Sequence, residues 1–239
     1  RSMVDTLSEL PLEFSPGEAW NYSVSTDVLG YLIEQIADVP LPDFLQNRVF
    51  GPLGMVDPGF YVPQDSVSRL TACYAGGGRN TMLLQDDPLE SDFRKPPSFY
   101  SGGSGLVSTA SDYMKFCRAL LNGGMLEGQR LISPKTLALM TQNHLPENRE
   151  LRDMTVSMFS ETTFDGVGFG LGFAVTLDPA RSLLAGTKGE YWWSGVANTT
   201  FWIDPAEELI VLMMTQLLPS TLYPIRRELR SLVYSAITD

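Results

Sequence analysis

Hydrophobic residues recur at a helical period in several segments of the first two thirds of the chain and then alternate at a period of two before a last helical segment. Behind Ser25 or Thr26 as cap, Val28, Leu29, Leu32, Ile33 and Ile36 recur at the spacing of one helix face, and the run ends before Pro40. Pro42 stands at the first turn of a second, short helix with Phe44, Leu45, Val49 and Phe50, stopped by Gly51-Pro52-Leu53-Gly54. Residues 57–101 lose the period and read as long excursions with one or two short strands around Arg69 to Tyr74. A helix resumes at Thr109, whose spacing to Asp112 is a capping-box variant, and runs to Leu121 before Gly123-Gly124. Another starts with Ser133 as cap and Pro134 as first residue, and carries Leu137 and Met140.

Beyond the polar stretch Met154 to Asp165 the pattern alternates. Phe169, Leu171, Phe173, Val175 and Leu177 are interleaved with Gly170, Gly172, Ala174 and Thr176, which predicts one strand with a single large-residue face. Tyr191 to Ser194 and Ala197 to Ile203 predict two more strands, a turn falls at Asp204-Pro205-Ala206-Glu207, and Leu209 to Met214 is a continuously apolar strand. Leu222 to Ile237 is an amphipathic helix with Ile225, Leu229, Leu232, Val233 and Ala236 on one side. Helices followed by an antiparallel meander and a closing helix make an α+β fold, with residues 1–165 a mostly helical lobe with long loops and residues 166–239 the meander and its helix.

Composition narrows what such a fold can do. The 239 residues hold 17 Lys plus Arg against 28 Asp plus Glu, a net charge of -11, which repels phosphate backbones and anionic lipid and leaves nucleic acid and membranes as poor partners. The densest basic cluster is Arg226, Arg227 and Arg230, and the longest apolar run, Leu209 to Met214, falls far short of the ~20 residues of a membrane span. With His144 the one histidine, Ser-His-Asp and histidine-zinc chemistry are disfavoured; its place after a helical pattern and before Pro146 predicts a helix C-terminus. Cys73 and Cys117 lack metal-ligand spacing, and Cys117 shares the stripe of Tyr113, Leu120 and Leu121, as a buried thiol would.

Familiar catalytic signatures are incomplete. Gly102-Gly103-Ser104-Gly105-Leu106 has its second glycine one place too early for a nucleophile elbow, and Gly168-Phe169-Gly170-Leu171-Gly172 lies within a strand pattern instead of opening a helix on a phosphate. Three other stretches are more specific: Phe14 to Ser23 (Phe-Ser-Pro-Gly-Glu-Ala-Trp-Asn-Tyr-Ser), Ser101 to Gly124, and Glu190 to Gly195 (Glu-Tyr-Trp-Trp-Ser-Gly) leading to Phe201-Trp202-Ile203-Asp204-Pro205. In their order and spacing the chain resembles the serine β-lactamase superfamily, and within it the class C-like carboxylesterases of family VIII, from Phe14 to the C-terminal helix.

The resemblance implies a β-lactamase/penicillin-binding-protein-like fold, an antiparallel sheet flanked by helices beside a helical lobe, and gives some residues roles. Tyr22 matches the tyrosine of Y-x-N, which shares the base role with the lysine of S-x-x-K; a phenol titrates near pH 10 and needs a neighbouring ammonium to act at neutral pH. The asparagine of that motif is Val24 here. Trp193-Ser194-Gly195 stands in place of K-T-G, in the W-x-G form of the esterases, and Val196 follows it with the backbone N–H that would serve as one oxyanion donor. An indole in place of an ammonium cannot pair with a lactam's carboxylate, so neutral esters fit better, with room left for weak β-lactam hydrolysis. No S-x-x-K occurs, so the nucleophilic serine and its lysine are not in this chain, which reads as the C-terminal part of a longer hydrolase and as inactive alone. The expected partners are a small-molecule ester or lactam and the N-terminal segment of the same protein, with no cofactor, no metal, no nucleic acid and no membrane; the compartment stays open. The alternative is a catalytically inactive penicillin-binding-like module that holds a ligand or partner in the remaining cleft.

Overall fold

The computed structural model describes residues 3–78, 81–156 and 164–238. Its helices are α1 (Met3–Leu7), α2 (Ser25–Ala37), α3 (Leu41–Leu45), α4 (Ala110–Leu121), α5 (Pro134–Met140), α6 (Leu151–Met154), α7 (Pro179–Ser182) and α8 (Ile225–Ser235). The strands are β1 (Cys73–Gly76), β2 (Met82–Asp86), β3 (Met125–Leu126), β4 (Gln129–Arg130), β5 (Val167–Phe169), β6 (Ala174–Thr176), β7 (Tyr191–Ser194), β8 (Thr200–Asp204), β9 (Leu209–Met213) and β10 (Leu217–Leu218). β5 to β9 form an antiparallel meander in chain order, and β1 pairs with β2 antiparallel and with β10 in parallel. This is the α+β arrangement of helices around an antiparallel sheet.

Strand alternation sorts the core to the two faces of the meander. Tyr191, Phe201 and Ile203 pack on Cys117 and Leu120 of α4 and Leu137 of α5. Trp192 and Trp202 pack toward Leu229, Val233 and Tyr234 of α8. On that second face a buried polar cluster ties α8 down: Arg230 donates to Glu190 (2.6 Å), Tyr234 lies between Glu190 (2.7 Å) and Asp204 (2.8 Å), and the Arg230 guanidinium sits 4.6 Å above the Trp202 ring. Burial, reinforced by Glu190, pushes the Tyr234 phenol far above its ordinary range.

Several local expectations are corrected. α2 begins without a side-chain cap from Ser25 or Thr26: Val24 takes that position, and Ser23 Oγ accepts the Ser25 N–H at 3.2 Å. Its apolar positions Leu29, Leu32 and Ile36 are exposed, and Gly30 is its one buried residue. The alternating run predicted as one strand is folded into the β5–β6 hairpin, with Gly172 at φ +101° in the turn and Gly170 so close to Met140 O that a Cβ would stand 2.1 Å from it. Ala197 lies outside the third strand, which begins at Thr200. On α8, Leu232 of the predicted apolar side is exposed and Arg230 is buried in the polar cluster.

Thr109 and Ser133 do cap α4 and α5, accepting N–H groups of Asp112 and Thr136. His144 lies just beyond α5, where a ring nitrogen meets Leu139 O at 2.7 Å.

Candidate active site

Tyr22 enters from the segment that leads into α2. That segment is pinned first at Trp20, whose N–H donates to Met154 O at 2.8 Å and whose ring meets Phe169 and Trp193 edge-on, with centroids 5.1 and 6.2 Å away. Two residues later Tyr22 lies nearly flat on Trp193, 6.1 Å between centroids and 12° between planes, with 54% of its surface exposed. The motif at the start of the chain and the one on β7 therefore meet ring to ring. The neighbouring Trp192 belongs to the core beneath α8, while Trp193 is half-buried among Trp20, Tyr22 and Phe169.

Beyond Trp193 the chain makes a tight turn. Ser194 Oγ and Thr200 Oγ1 are 3.0 Å apart across β7 and β8. Gly195 N–H donates to Thr199 O (2.8 Å) and Asn198 N–H to Gly195 O (3.0 Å), which closes the turn on itself. The turn is tight enough that a Cβ on Gly195 would stand 2.3 Å from Thr199 Oγ1 and oblige that side chain to move. The outer groups are tied to the next segment, Ala197 O accepting from Leu217 N–H (3.0 Å) and Asn198 O from Thr215 Oγ1 (2.9 Å). Val196 projects from the tip, 74% exposed.

The serine-glycine stretch 101–105 crosses the first turn of α2. Ser101 Oγ donates to Asp27 and accepts the N–H groups of Gly103 (3.1 Å) and Ser104 (2.9 Å), and Gly102 runs so close to α2 that a Cβ would lie 2.1 Å from Thr26 O. Ser104 is exposed on this loop, 3.1 Å from Ser101 Oγ. Phe60, Phe93 and Phe99 line a cavity of about 190 Å³ with Ser101 and Ser104 at its side. Among the described residues no group of three or more His, Cys, Asp or Glu is arranged to hold a metal, and no helix is long and apolar enough to cross a membrane.

The structure thus joins Tyr22 to the Trp193 to Val196 segment. It adds Trp20 and Phe169 against the Trp193 ring and Arg226 through its bond to Gly195 O at 2.5 Å, while Asp27 and Ser101 hold the 101–105 loop on α2. The alternation that marks Phe169 as large-faced gives no sign that its ring touches Trp20, and Arg226 shows in the sequence only as part of a basic cluster.

The chain belongs to the Beta-lactamase family, whose model matches residues 1–234. It is 37% identical over 216 residues to protein Rv1367c of Mycobacterium tuberculosis (strain H37Rv), covering 89% of this chain and 52% of that protein. It is 30% identical over 249 residues to esterase EstB of Burkholderia gladioli, covering 96% of this chain and 58% of EstB. Among solved structures, the simvastatin synthase LovD of Aspergillus terreus superposes with a TM-score of 0.81 at 26% identity, covering 96% of this chain and 59% of that one. The chain therefore spans little more than half the length of these relatives, and its place is in the serine β-lactamase superfamily near the family VIII esterases.

Proposed function

We propose that this chain supplies the tyrosine and oxyanion side of a serine hydrolase that works through an acyl-enzyme, a carboxylesterase of family VIII type acting on small neutral esters. The observation that carries the reading is the stacking of Tyr22 on Trp193 beside the 195–199 turn, which brings a candidate base and a candidate oxyanion donor to one place. Kinship to a protein named as an esterase, EstB, supports the ester chemistry. In this reading a serine outside these 239 residues attacks the ester carbonyl, and its proton passes to Tyr22 and a lysine from the same missing motif. The alcohol leaves with a proton, and water repeats the sequence on the acyl-enzyme. Val196 N–H takes the charge that develops on the carbonyl oxygen. Trp193, stacked and half-buried, offers an apolar wall where the lactam enzymes have a cation, and this favours uncharged substrates.

Turnover of p-nitrophenyl butyrate by the full-length protein tests the assignment. Y22F is expected to lower kcat by about 10²- to 10⁴-fold with little change in KM; a variant that keeps its kcat removes Tyr22 from the proton path. W193K is expected to raise turnover of an anionic lactam relative to the ester, and an unchanged ratio would overturn the specificity argument. Residues 1–239 alone are expected to give no turnover and no fluorophosphonate labelling; a labelled serine among them would locate the nucleophile inside this chain.

A further inference from the structure

The peptide unit that carries the Val196 N–H has the carbonyl of Gly195 as its other half, and that carbonyl is held by a cation. Arg226 Nη2 donates to Gly195 O at 2.5 Å and also reaches Thr199 O at 3.4 Å, so one guanidinium spans both ends of the turn. The second donor on Gly195 O is the Asn198 N–H at 3.0 Å. A peptide bond is planar and trans, so fixing where its oxygen points also fixes where its hydrogen points, on the opposite side. A positive charge on the oxygen further polarises the amide and strengthens its N–H as a donor.

Arg226 belongs to a helix that a buried ion pair ties to the sheet. It stands one helical turn before Arg230 on α8, the spacing that puts two side chains on one face. Arg230 is buried in its pair with Glu190, the residue immediately before β7. The two arginines thus grip β7 at its first and last ends from a single helix.

We propose that Arg226 is a positioning residue for the hydrolytic site, keeping the Gly195–Val196 peptide turned so that the Val196 N–H faces the developing oxyanion. The assignment rests on the reading of Val196 as an oxyanion donor. Arg226 touches no substrate atom; it acts through the peptide whose oxygen it binds. Without the cation Gly195 O retains, among the described residues, the Asn198 bond alone against rotation, and the N–H loses both its aim and part of its strength.

Three measurements on the full-length protein decide it. In R226Q, kcat for p-nitrophenyl butyrate is expected to fall about 10- to 100-fold, within what loss of an oxyanion donor costs, while KM stays within about twofold. R226K, which keeps the charge on a single point donor, is expected to recover most of the loss, and R227Q, altered at an exposed neighbour, to match the parent. A boronic-acid analogue of the tetrahedral intermediate should lose affinity in R226Q by the same factor as kcat/KM, which a merely looser fold would not produce. Separately, hydrogen exchange over residues 194–200 should quicken in R226Q while the rest of the sheet stays protected. Unchanged exchange in that turn, or a kcat equal to the parent's in folded R226Q, overturns the proposal. If R226Q does not fold, R226M, which keeps the length of the side chain without its charge, is judged by the same criteria. A parent protein that turns over no ester overturns the reading of the site and the catalytic half of this proposal, and the exchange result still says whether Arg226 holds the turn.

Discussion

Asp112 ties the long excursion of residues 57–101 to the α4 helix through one carboxylate. It accepts N–H groups from Val56 (2.7 Å) and Asp57 (2.8 Å) and the ammonium of Lys115 (2.8 Å). Burial pushes its pKa up, but Lys115 and the two amides outweigh this and hold it below the ordinary carboxylate value; Asp57 is held low by the hydrogen bond from Arg69. A depressed folded-state pKa means that the stabilisation is present above the unfolded value near pH 4 and is lost as pH falls through the folded value. D112N is therefore expected to cost about 2 kcal/mol in urea unfolding at pH 7, a gap that narrows toward pH 3; a gap constant with pH would refute the charge as its cause. The thiols differ in the same residue-level way. Burial drives Cys117 up to about 12, whereas Cys73 is raised by burial and Asp86 but stays only half-buried, so Ellman's reagent should titrate one thiol in the native protein and both in denaturant. Tyr22 and Trp193 can be singled out in the sequence because they stand within recognisable motifs. Arg226 and Asp27 cannot, because one works on a backbone carbonyl and the other on a loop serine, and such contacts leave no spacing to read.

At the scale of elements, the sequence carried the helices better than the turns between strands. Thr109 and Ser133 declared their helices because a cap is a local bond, made within three residues. The run from Phe169 to Leu177 did not declare its fold, since alternation reports which face a side chain takes and is preserved when the chain doubles back at Gly172. Similarly, nothing local marks Gly30 and Gly102 as partners, although their backbones meet across α2, where a Cβ on Gly30 would lie 3.1 Å from the Gly102 Cα. G102A is expected to force the 101–105 loop off α2 and lower Tm by about 5–10 °C in calorimetry. G54A is the comparison: at φ +63° but with open space around it, it bears only the left-handed backbone cost, so its Tm should fall clearly less. Equal losses would mean that the contact with Thr26 is not what makes glycine necessary at 102.

For the whole molecule, the layered plan was legible: helices, then a meander, then a helix closing its far face. The three-stranded β10–β1–β2 sheet was not, because it joins residues 73–86 to the two-residue β10, too short to register as a strand. The outer edges of the meander were equally hidden, and they are unlike. β5 is sealed, with Phe169 N–H donating to Asn143 Oδ1 (3.1 Å) and Phe169 O accepting from His144 N–H (2.8 Å). β9 pairs only with β8 among the described residues, although its Leu-Ile-Val-Leu-Met composition is that of a strand enclosed on all sides. The outer edge of so apolar a strand, which pairs with no second strand among the described residues, can template addition of another strand, while a net charge of -11 opposes the approach of two copies. Salt shortens that repulsion to about 8 Å at physiological ionic strength and leaves backbone pairing untouched. Solutions of residues 1–239 should therefore stay dispersed in dilute buffer and associate as salt is added, which light scattering across a salt titration would follow.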